Sequence, residues 1–135
     1  MALQLSVAVR KAMLDAIETT IGTSAVLKIR TGAPPASVAT ADSGTVLATL
    51  TLPSDWMAAA SGGSKAKSGT WEDASADAAG TAAHYRIYAS DGTTAHLQGT
   101  VTATGGGGDL VVDNAVFAAG QSFSITSFSI TAPNS

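Results

Sequence analysis

The chain has 135 residues, a formal net charge of −3 and no cysteine, and its 27 Ala, 17 Thr, 15 Ser and 14 Gly make up more than half of it. The missing cysteines exclude a disulfide framework and a thiolate metal site, and no basic patch is present to neutralise nucleic-acid phosphates. No run of about 18 apolar residues suggests a membrane-spanning helix. Large apolar residues are few, so we predict one domain, residues 1–135, whose modest core gains stability in a homo-oligomer.

The N-terminal segment, residues 1–22, predicts one amphipathic helix at about residues 6–21, followed by a β domain at 23–135. Ser6 and Gly22 are residue types that begin and end helices. The apolar side chains that recur at helical spacing are Val7, Met13, Leu14, Ile17 and Ile21. Such a helix either covers an open face of the sheet or docks on a neighbouring subunit.

Alternating apolar residues at 25–31 and 45–52 predict the first two strands. The loop between them, residues 33–44, contains Pro34 and Pro35, which cannot donate to a strand ladder. Further along, the pattern predicts a helical turn or irregular loop at 53–63, a weak strand at 64–71, a flexible turn at 105–108 and a short strand at 109–113.

The strongest hairpin signal is the sequence SDGT at residues 90–93. We prefer a three-residue loop, residues 90–92, with Gly92 in the left-handed conformation, because this register places Ile87 opposite Ala95 on one apolar face. A two-residue Asp-Gly loop would pair apolar with polar positions.

The C-terminal segment repeats the sequence SFSIT within residues 122–131. A period of five residues turns the second apolar pair, Phe128 and Ile130, to the face opposite the first pair. The preferred interpretation is a β-bulge near residues 126–127 that restores the inward face. The alternative places Phe128 and Ile130 at a subunit interface.

Short strands separated by turn signals predict a mainly β fold. We expect an antiparallel β-sandwich or barrel-like fold, of immunoglobulin-like or jelly-roll type, with one N-terminal amphipathic helix. Roughly six to eight strands fit the chain length.

Four polar side chains fall on the predicted outer face of the hairpin: His84, Arg86, Tyr88 and His96, with Arg86 expected opposite His96. A metal site needs several convergent ligands, and no third ligand of a suitable type accompanies the two histidines. A surface polar cluster that contacts a partner is therefore preferred over a metal site.

Two other segments resemble ligand sites only weakly. Glu72, Asp73 and Asp77 lie in an Ala- and Ser-rich stretch without the regular spacing of a calcium loop, so a solvated acidic loop is preferred. The four glycines at 105–108 lack the Lys-Ser/Thr of a phosphate-binding loop. No nucleophile, base and orienting acid can be assigned, so we predict no catalytic residue, no cofactor, no metal and no enzyme activity.

Trp56 and Trp71 are predicted as core anchors, because each ring buries a large apolar area. If both rings were exposed, they would form with Tyr88 and His96 a carbohydrate-binding or host-surface module.

Five segments share their order and residue texture with known proteins: VRKAMLDAI at 9–17, LKIRTGAPP at 27–35, GTVLATL at 44–50, the YRIY–DGT hairpin at 85–93, and FSITSF at 123–128. Together they resemble a group of small structural proteins of tailed-bacteriophage virions. The resemblance covers nearly the full chain. It implies a virion part, made in the host bacterial cytoplasm, and carries over no catalytic residue.

The resulting prediction is a non-enzymatic minor capsid or decoration (cement) protein that stabilises the shell. Its partners would be the major capsid protein, or neck and tail proteins, together with its own copies. The alternatives are a tail, neck or fibre component, and the carbohydrate-binding module. The possible interface residues are Val7, Met13, Leu14, Ile17, Ile21, Arg86, Tyr88, His96, Phe128 and Ile130.

Overall fold

The computed structural model describes residues 3–133, which begin with the expected helix. Helix α1 spans Val7–Ile21, and Ser6 Oγ accepts the backbone N–H of Val9 at 3.2 Å. The N–H of Gly22 donates to the last turn of the helix at 2.9 Å. The serine cap and the glycine end are therefore confirmed.

Eleven short strands follow within the described residues, so the chain is mainly β, as predicted. In chain order, β1 to β11 span Val26–Arg30, Val46–Thr51, Ser64–Ala66, Trp71–Asp73, Gly80–Thr81, His84–Tyr88, Ala95–Ala103, Leu110–Val112, Val116–Phe117, Phe123–Ile125 and Ser129–Thr131.

The main sheet has five strands in the order β2-β1-β6-β7-β8. Strand β1 lies between β2 and β6, so that Leu27 faces Leu50 on one side and Ile87 on the other. All pairs are antiparallel except β7 and β8, which run parallel, and this pair departs from the predicted antiparallel sheet. The glycine run at 105–108 allows the chain to double back along β7 and turn again before β8 begins.

A second layer faces the main sheet and consists of two antiparallel ribbons, β4 with β10 and β3 with β11. Aromatic rings join the two layers. The ring of Phe128 lies 5.5 Å from Trp71 and edge-on, 5.7 Å, from Tyr85 of the main sheet. The core therefore lies between the layers in a sandwich- or barrel-like arrangement, and Ile21 at the end of α1 belongs to it.

The β6–β7 hairpin has the predicted turn glycine but a different register. Gly92 has φ +71, which is the left-handed conformation expected for it. A bulge beside Tyr88 places Ile87 opposite Leu97 instead of Ala95. The predicted three-residue loop is therefore wrong, although a shift of two residues keeps Ile87 on the same face.

Hydrogen bonds to Asp91 explain the wider turn. The N–H of Ala89 donates to the carbonyl oxygen of Thr94 at 3.0 Å and closes a four-residue loop. Inside this loop the Asp91 carboxylate accepts the N–H groups of Thr93 and Thr94 at 2.8 and 2.9 Å. Bonds from the Thr94 side chain and from the two backbone N–H groups lower the pKa of Asp91. The Asp91 carboxylate thus stabilises the longer turn, and the alternation of apolar and polar residues along the strands does not reveal this effect.

The C-terminal repeat turns its second apolar pair inward through a break between two strands. Strand β10 pairs with β4 and strand β11 pairs with β3, and no strand is assigned at residues 126–128. Phe128 is buried in the core, and the half-buried Ile130 packs against it. The prediction that this segment turns its second apolar pair inward is confirmed. A break between two strands, and not a β-bulge, produces the turn. The alternative that placed Phe128 at a subunit interface is wrong because Phe128 is buried.

Candidate interaction surface

The sheet face predicted to be exposed is covered by the chain's own loop, residues 32–44, which we call the covering loop. Beneath it, His84, Arg86 and Tyr88 are 0%, 2% and 0% exposed. The prediction that these side chains form a solvent-facing cluster is wrong, because a strand pattern cannot show a loop folding back over the sheet. Arg86 also lies opposite Gln98 and not opposite His96.

Arg86 holds the covering loop in place. Its Nη2 donates to the carbonyl oxygens of Ser37 and Thr40 at 3.0 and 2.8 Å, and its Nη1 donates to Asp42 Oδ1 at 2.8 Å. Its Nε donates to the side-chain oxygen of Gln98 at 3.1 Å. All three nitrogens of the guanidinium are thus used within the chain, so Arg86 is a structural anchor of the loop.

Asp42 is the carboxylate at the centre of this network. It also accepts Arg30 Nη2 at 3.0 Å and the Tyr88 hydroxyl at 2.8 Å. Partial burial acts to raise the pKa of Asp42, but the Tyr88 hydroxyl and the guanidiniums of Arg30 and Arg86 together hold that pKa below its usual value. One carboxylate therefore balances two buried cations.

The ring of His84 is also used structurally. Its Nδ1 lies 2.7 Å from the carbonyl oxygen of Gly32 at the start of the covering loop. Because a carbonyl oxygen can only accept, Nδ1 is the protonated nitrogen and donates this hydrogen bond. Among residues 3–133, no group of three or more His, Cys, Asp or Glu side chains is placed to hold a metal ion.

The acidic segment at 72–77 caps the open edge of β2. Glu72 and Asp73 belong to strand β4, so their predicted loop position is wrong. Asp73 Oδ2 accepts the backbone N–H of Thr49 at 2.9 Å, and Asp77 Oδ2 accepts the Thr49 hydroxyl at 2.7 Å. These bonds protect a sheet edge from pairing with other chains.

The prediction that the two tryptophans are core residues is confirmed. Trp56 and Trp71 are buried with their rings 6.0 Å apart. Trp56 Nε1 donates to the carbonyl oxygen of Gly22 at 2.9 Å, which joins the end of α1 to the core. Neither ring is available to stack on a sugar.

A glycine at the end of the covering loop gives the first testable prediction. Gly44 has φ +76, and a Cβ there would lie 2.0 Å from the carbonyl oxygen of Thr31. We expect Gly44→Ala to lower the free energy of unfolding by about 2–3 kcal/mol, because the left-handed strain and the collision add. Urea denaturation measures this loss.

The matched control for this prediction is Gly62→Ala. Gly62 has φ +61 with nothing within 4 Å of its Cβ position, so only the conformational strain remains, about 1 kcal/mol. Equal losses in the two variants would show that the Gly44 contact does not constrain the loop.

Ion pairs fix the inner side of α1 to strand β3. Lys65 is 2% exposed, and its Nζ lies 2.8 Å from Asp15 Oδ1 and 3.1 Å from Glu18 Oε1. Burial acts to lower the pKa of Lys65, but the two carboxylates raise it above its usual value. Glu18 also accepts the backbone N–H of Met57 at 3.1 Å. The helix is thus held in one orientation.

The outer side of α1 is left uncovered. Val9, Met13, Ala16 and Thr20 are exposed there and recur at intervals of four, three and four residues; we call them the helix stripe. Val9 is 46% and Met13 is 43% exposed. None of the four is charged, so the stripe offers an apolar surface with one hydroxyl.

A groove of about 420 Å³ runs beside the helix stripe, between α1 and strand β7. Its lining combines part of the stripe with buried, half-buried and exposed neighbours: Met13, Ala16, Ile17, Thr20, Ile21, His96 and Leu97. The stripe and this groove form the candidate interaction surface.

The predicted interface residues divide into three groups. Val7, Met13 and His96 are exposed and remain predictions as contact residues. Ile17 and Ile130 are half-buried and pack on the core. The others are buried within the chain, which corrects their placement as contact residues: Leu14, Ile21, Arg86, Tyr88 and Phe128.

Sequence reasoning missed the residues that hold the surface in place. Asp42 stands alone in a loop and Lys65 in a short polar strand, so neither shows a pattern in the sequence. Their partners are distant along the chain. The spacing of Val9, Met13, Ala16 and Thr20 was visible, but small residues such as Ala16 do not stand out in an Ala-rich sequence.

Comparison with known proteins found no matching family model, no matching curated protein and no matching solved structure. Helix α1 is too short and too polar to cross a membrane, and it is the one α-helix of the described residues.

Proposed function

We propose that the chain is a non-enzymatic structural protein of a tailed-phage virion, a minor capsid or decoration protein that stabilises the shell through protein–protein contacts. The helix stripe and its groove are the observation that carries the proposal. They leave apolar surface uncovered on a domain whose buried polar side chains are engaged in holding the fold. The resemblance of five segments to phage virion proteins supplies the context.

The distribution of charge supports a protein partner. Arg30, Lys65 and Arg86 are buried in internal ion pairs, so these cations do not act at the surface. Carboxylates such as Glu72 and Asp113 remain exposed. The carboxylates that pair with these cations, Asp42, Asp15 and Glu18, balance them, so the remaining surface keeps an acidic excess. Such a surface repels nucleic-acid phosphates and complements a basic patch on a shell protein.

The carbohydrate-binding alternative loses its basis. It depended on exposed rings at Trp56, Trp71 and Tyr88, and all three are buried. Of the proposed set, His96 alone is exposed, and one imidazole does not form a stacking platform.

Labelling of virions tests where the protein resides. Antibodies raised against the purified chain, detected with gold particles by electron microscopy, are expected to label the heads of the phage that encodes it. Labelling of necks or tails would support the tail or neck alternative. Unlabelled virions that also lack the protein by mass spectrometry would overturn the proposal.

Particle stability tests the decoration role separately. Phage particles lacking the protein are expected to release DNA at a lower temperature, measured with a DNA-binding dye. Purified wild-type protein added back should restore the release temperature, because bound copies bridge neighbouring shell subunits. An unchanged release temperature together with no rebinding would reject a stabilising role.

A further inference from the structure

We propose that a small pocket between strands β7 and β11 binds the ammonium group of a lysine side chain that a partner protein presents. The pocket has a volume of about 240 Å³ and contains no residue of the helix stripe. The inference rests on the proposed function only for the identity of the partner, because the chemistry of the pocket is that of the chain alone.

A hydroxyl group that the fold leaves without a hydrogen bond lines this pocket. Tyr85 is 3% exposed, and its hydroxyl makes no hydrogen bond with any of residues 3–133. Burial, and after it the charge of Asp109, raise the pKa of this hydroxyl, so it stays neutral at physiological pH. A buried hydroxyl without a partner is unfavourable, and its lone pairs can accept a donor that a ligand brings.

A carboxylate stands beside this hydroxyl because residue 99 is a glycine. Asp109 Oδ2 and the Tyr85 hydroxyl each lie 2.9 Å from the point that a Cβ of Gly99 would occupy, so the two oxygens are at most 5.8 Å apart, twice that distance. One nitrogen between them therefore reaches both at hydrogen-bond distance. The backbone N–H and the hydroxyl of Thr100 hold the carboxylate in place at 3.0 and 3.2 Å.

Asp109 receives no positive charge from the described part of the chain. The ion pairs among residues 3–133 use other carboxylates. Lys67 lies near the pocket, since its backbone N–H donates to the carbonyl oxygen of Phe128 at 2.8 Å, but its amine donates to the carbonyl oxygen of Gly69 at 2.7 Å. The charge that matches Asp109 is therefore left to a ligand.

The apolar part of the lining favours a lysine over other donors. Leu97, Phe128 and Ile130 line the pocket together with the two oxygen-bearing side chains. A lysine has the same order of groups, an apolar stem followed by an ammonium head. A single water between the two oxygens would leave the apolar side chains without contact, and a guanidinium has five donors in a planar fork, more than two oxygens satisfy.

Titration of the purified chain with N-acetyl-lysine amide, followed by NMR, tests the pocket. Saturable shifts are expected at the amides of Gly99 and Thr100, with a Kd on the order of millimolar. The matched ligand is N-acetyl-norleucine amide, which lacks the ammonium group and is expected to bind at least about tenfold more weakly. Equal binding of the two ligands, or no saturable shift with the lysine amide, would overturn the proposal.

Two conservative variants test the groups that bind the ammonium. Asp109→Asn keeps an oxygen for the N–H of Thr100 and removes the charge, and it is expected to weaken binding at least about tenfold. Tyr85→Phe keeps the ring, removes the hydroxyl and is expected to weaken binding about threefold or more. Asp113→Asn, at an exposed aspartate outside the pocket, is the control and should bind as the wild type. NMR spectra verify that each variant folds, and wild-type affinity in either pocket variant would overturn the site.

Rebinding to phage particles that lack the protein tests whether the lysine belongs to the shell. Asp109→Asn is expected to occupy these particles with at least about tenfold lower affinity than the wild type. Equal occupancy by a variant that no longer binds the lysine amide would assign the pocket to a free amine and overturn the choice of partner. The NMR titration needs only the purified chain, so it stands or fails independently of virion labelling.

Discussion

Replacement of Asp42 by alanine is expected to lower the free energy of unfolding by about 3 kcal/mol, the low end of the cost of breaking a buried ion pair. The variant leaves the guanidiniums of Arg30 and Arg86 beneath the covering loop without their carboxylate. The low end applies because Asp42 itself is partly exposed and water can reach the site. Urea denaturation measures the loss of stability.

Hydrogen exchange shows whether the loop is released. In Asp42→Ala, the amides of residues 33–44 are expected to exchange faster than in the wild type, while the central strands keep their protection. Asp113→Ala serves as the control, because it removes an exposed aspartate far from the loop in sequence. Unchanged stability and unchanged exchange in Asp42→Ala would show that the network does not hold the loop.

The same carboxylate predicts a dependence on pH. The folded-state pKa of Asp42 lies below its usual value, so its contribution is complete above about pH 4 and falls as the pH drops through the folded pKa. The stability difference between the wild type and Asp42→Asn is therefore expected to be constant from about pH 5 to 7 and to narrow below about pH 4. A difference that grows toward acid pH would contradict this assignment.

Trp71→Ala is expected to have the largest effect, a loss of about 3–5 kcal/mol. Its ring packs on Trp56 and Phe128, and its Nε1 donates to the carbonyl oxygens of Trp56 and Ser68 at 3.2 and 3.1 Å. Alanine removes a ring that supports Phe128, which in turn contacts Tyr85 of the main sheet. Since a domain of this size has a stability of about 5–15 kcal/mol, the variant is expected to be partly unfolded at 37 °C.

Trp71→Phe separates the two contributions of this side chain. It keeps an aromatic ring and removes the indole donor, and is expected to lose only about 1–2 kcal/mol. Acrylamide quenching of tryptophan fluorescence provides a check on the wild type, since Trp56 and Trp71 are both buried and should be quenched weakly. Strong quenching, or a stable Trp71→Ala variant, would contradict the role of Trp71 in the core.

Local signals in the sequence predicted the parts of the fold that depend on neighbouring residues. Ser6 and Gly22 marked the ends of α1 because helix caps act within one turn. Alternation identified β1 and the apolar face that includes Leu27, and Gly92 marked the hairpin turn. The class of fold followed from these elements.

Features that depend on distant residues could not be predicted in this way. The burial of Arg86 requires the covering loop to fold back over β6, and its partner Asp42 lies 44 residues away in sequence. The register of the hairpin depends on the hydrogen bonds of Asp91 and on the bulge beside Tyr88. The alternation of apolar and polar residues detects neither. The exposed part of the candidate surface, such as Met13, was identified, whereas Leu14 could be assigned to the core only once the sheet was in place.

The last strands determine when this chain can fold. Strand β11 pairs with β3, strand β10 pairs with β4, and Arg10 Nη2 donates to the carbonyl oxygen of Ala132 at 3.1 Å. The second layer and the first turns of α1 thus wait for the final strands to leave the ribosome. Contacts so distant in sequence also slow folding. Chains that end before about residue 132 lack the Arg10–Ala132 bond at the start of α1, whereas Lys65 can already pair with Asp15 and Glu18 further along the helix.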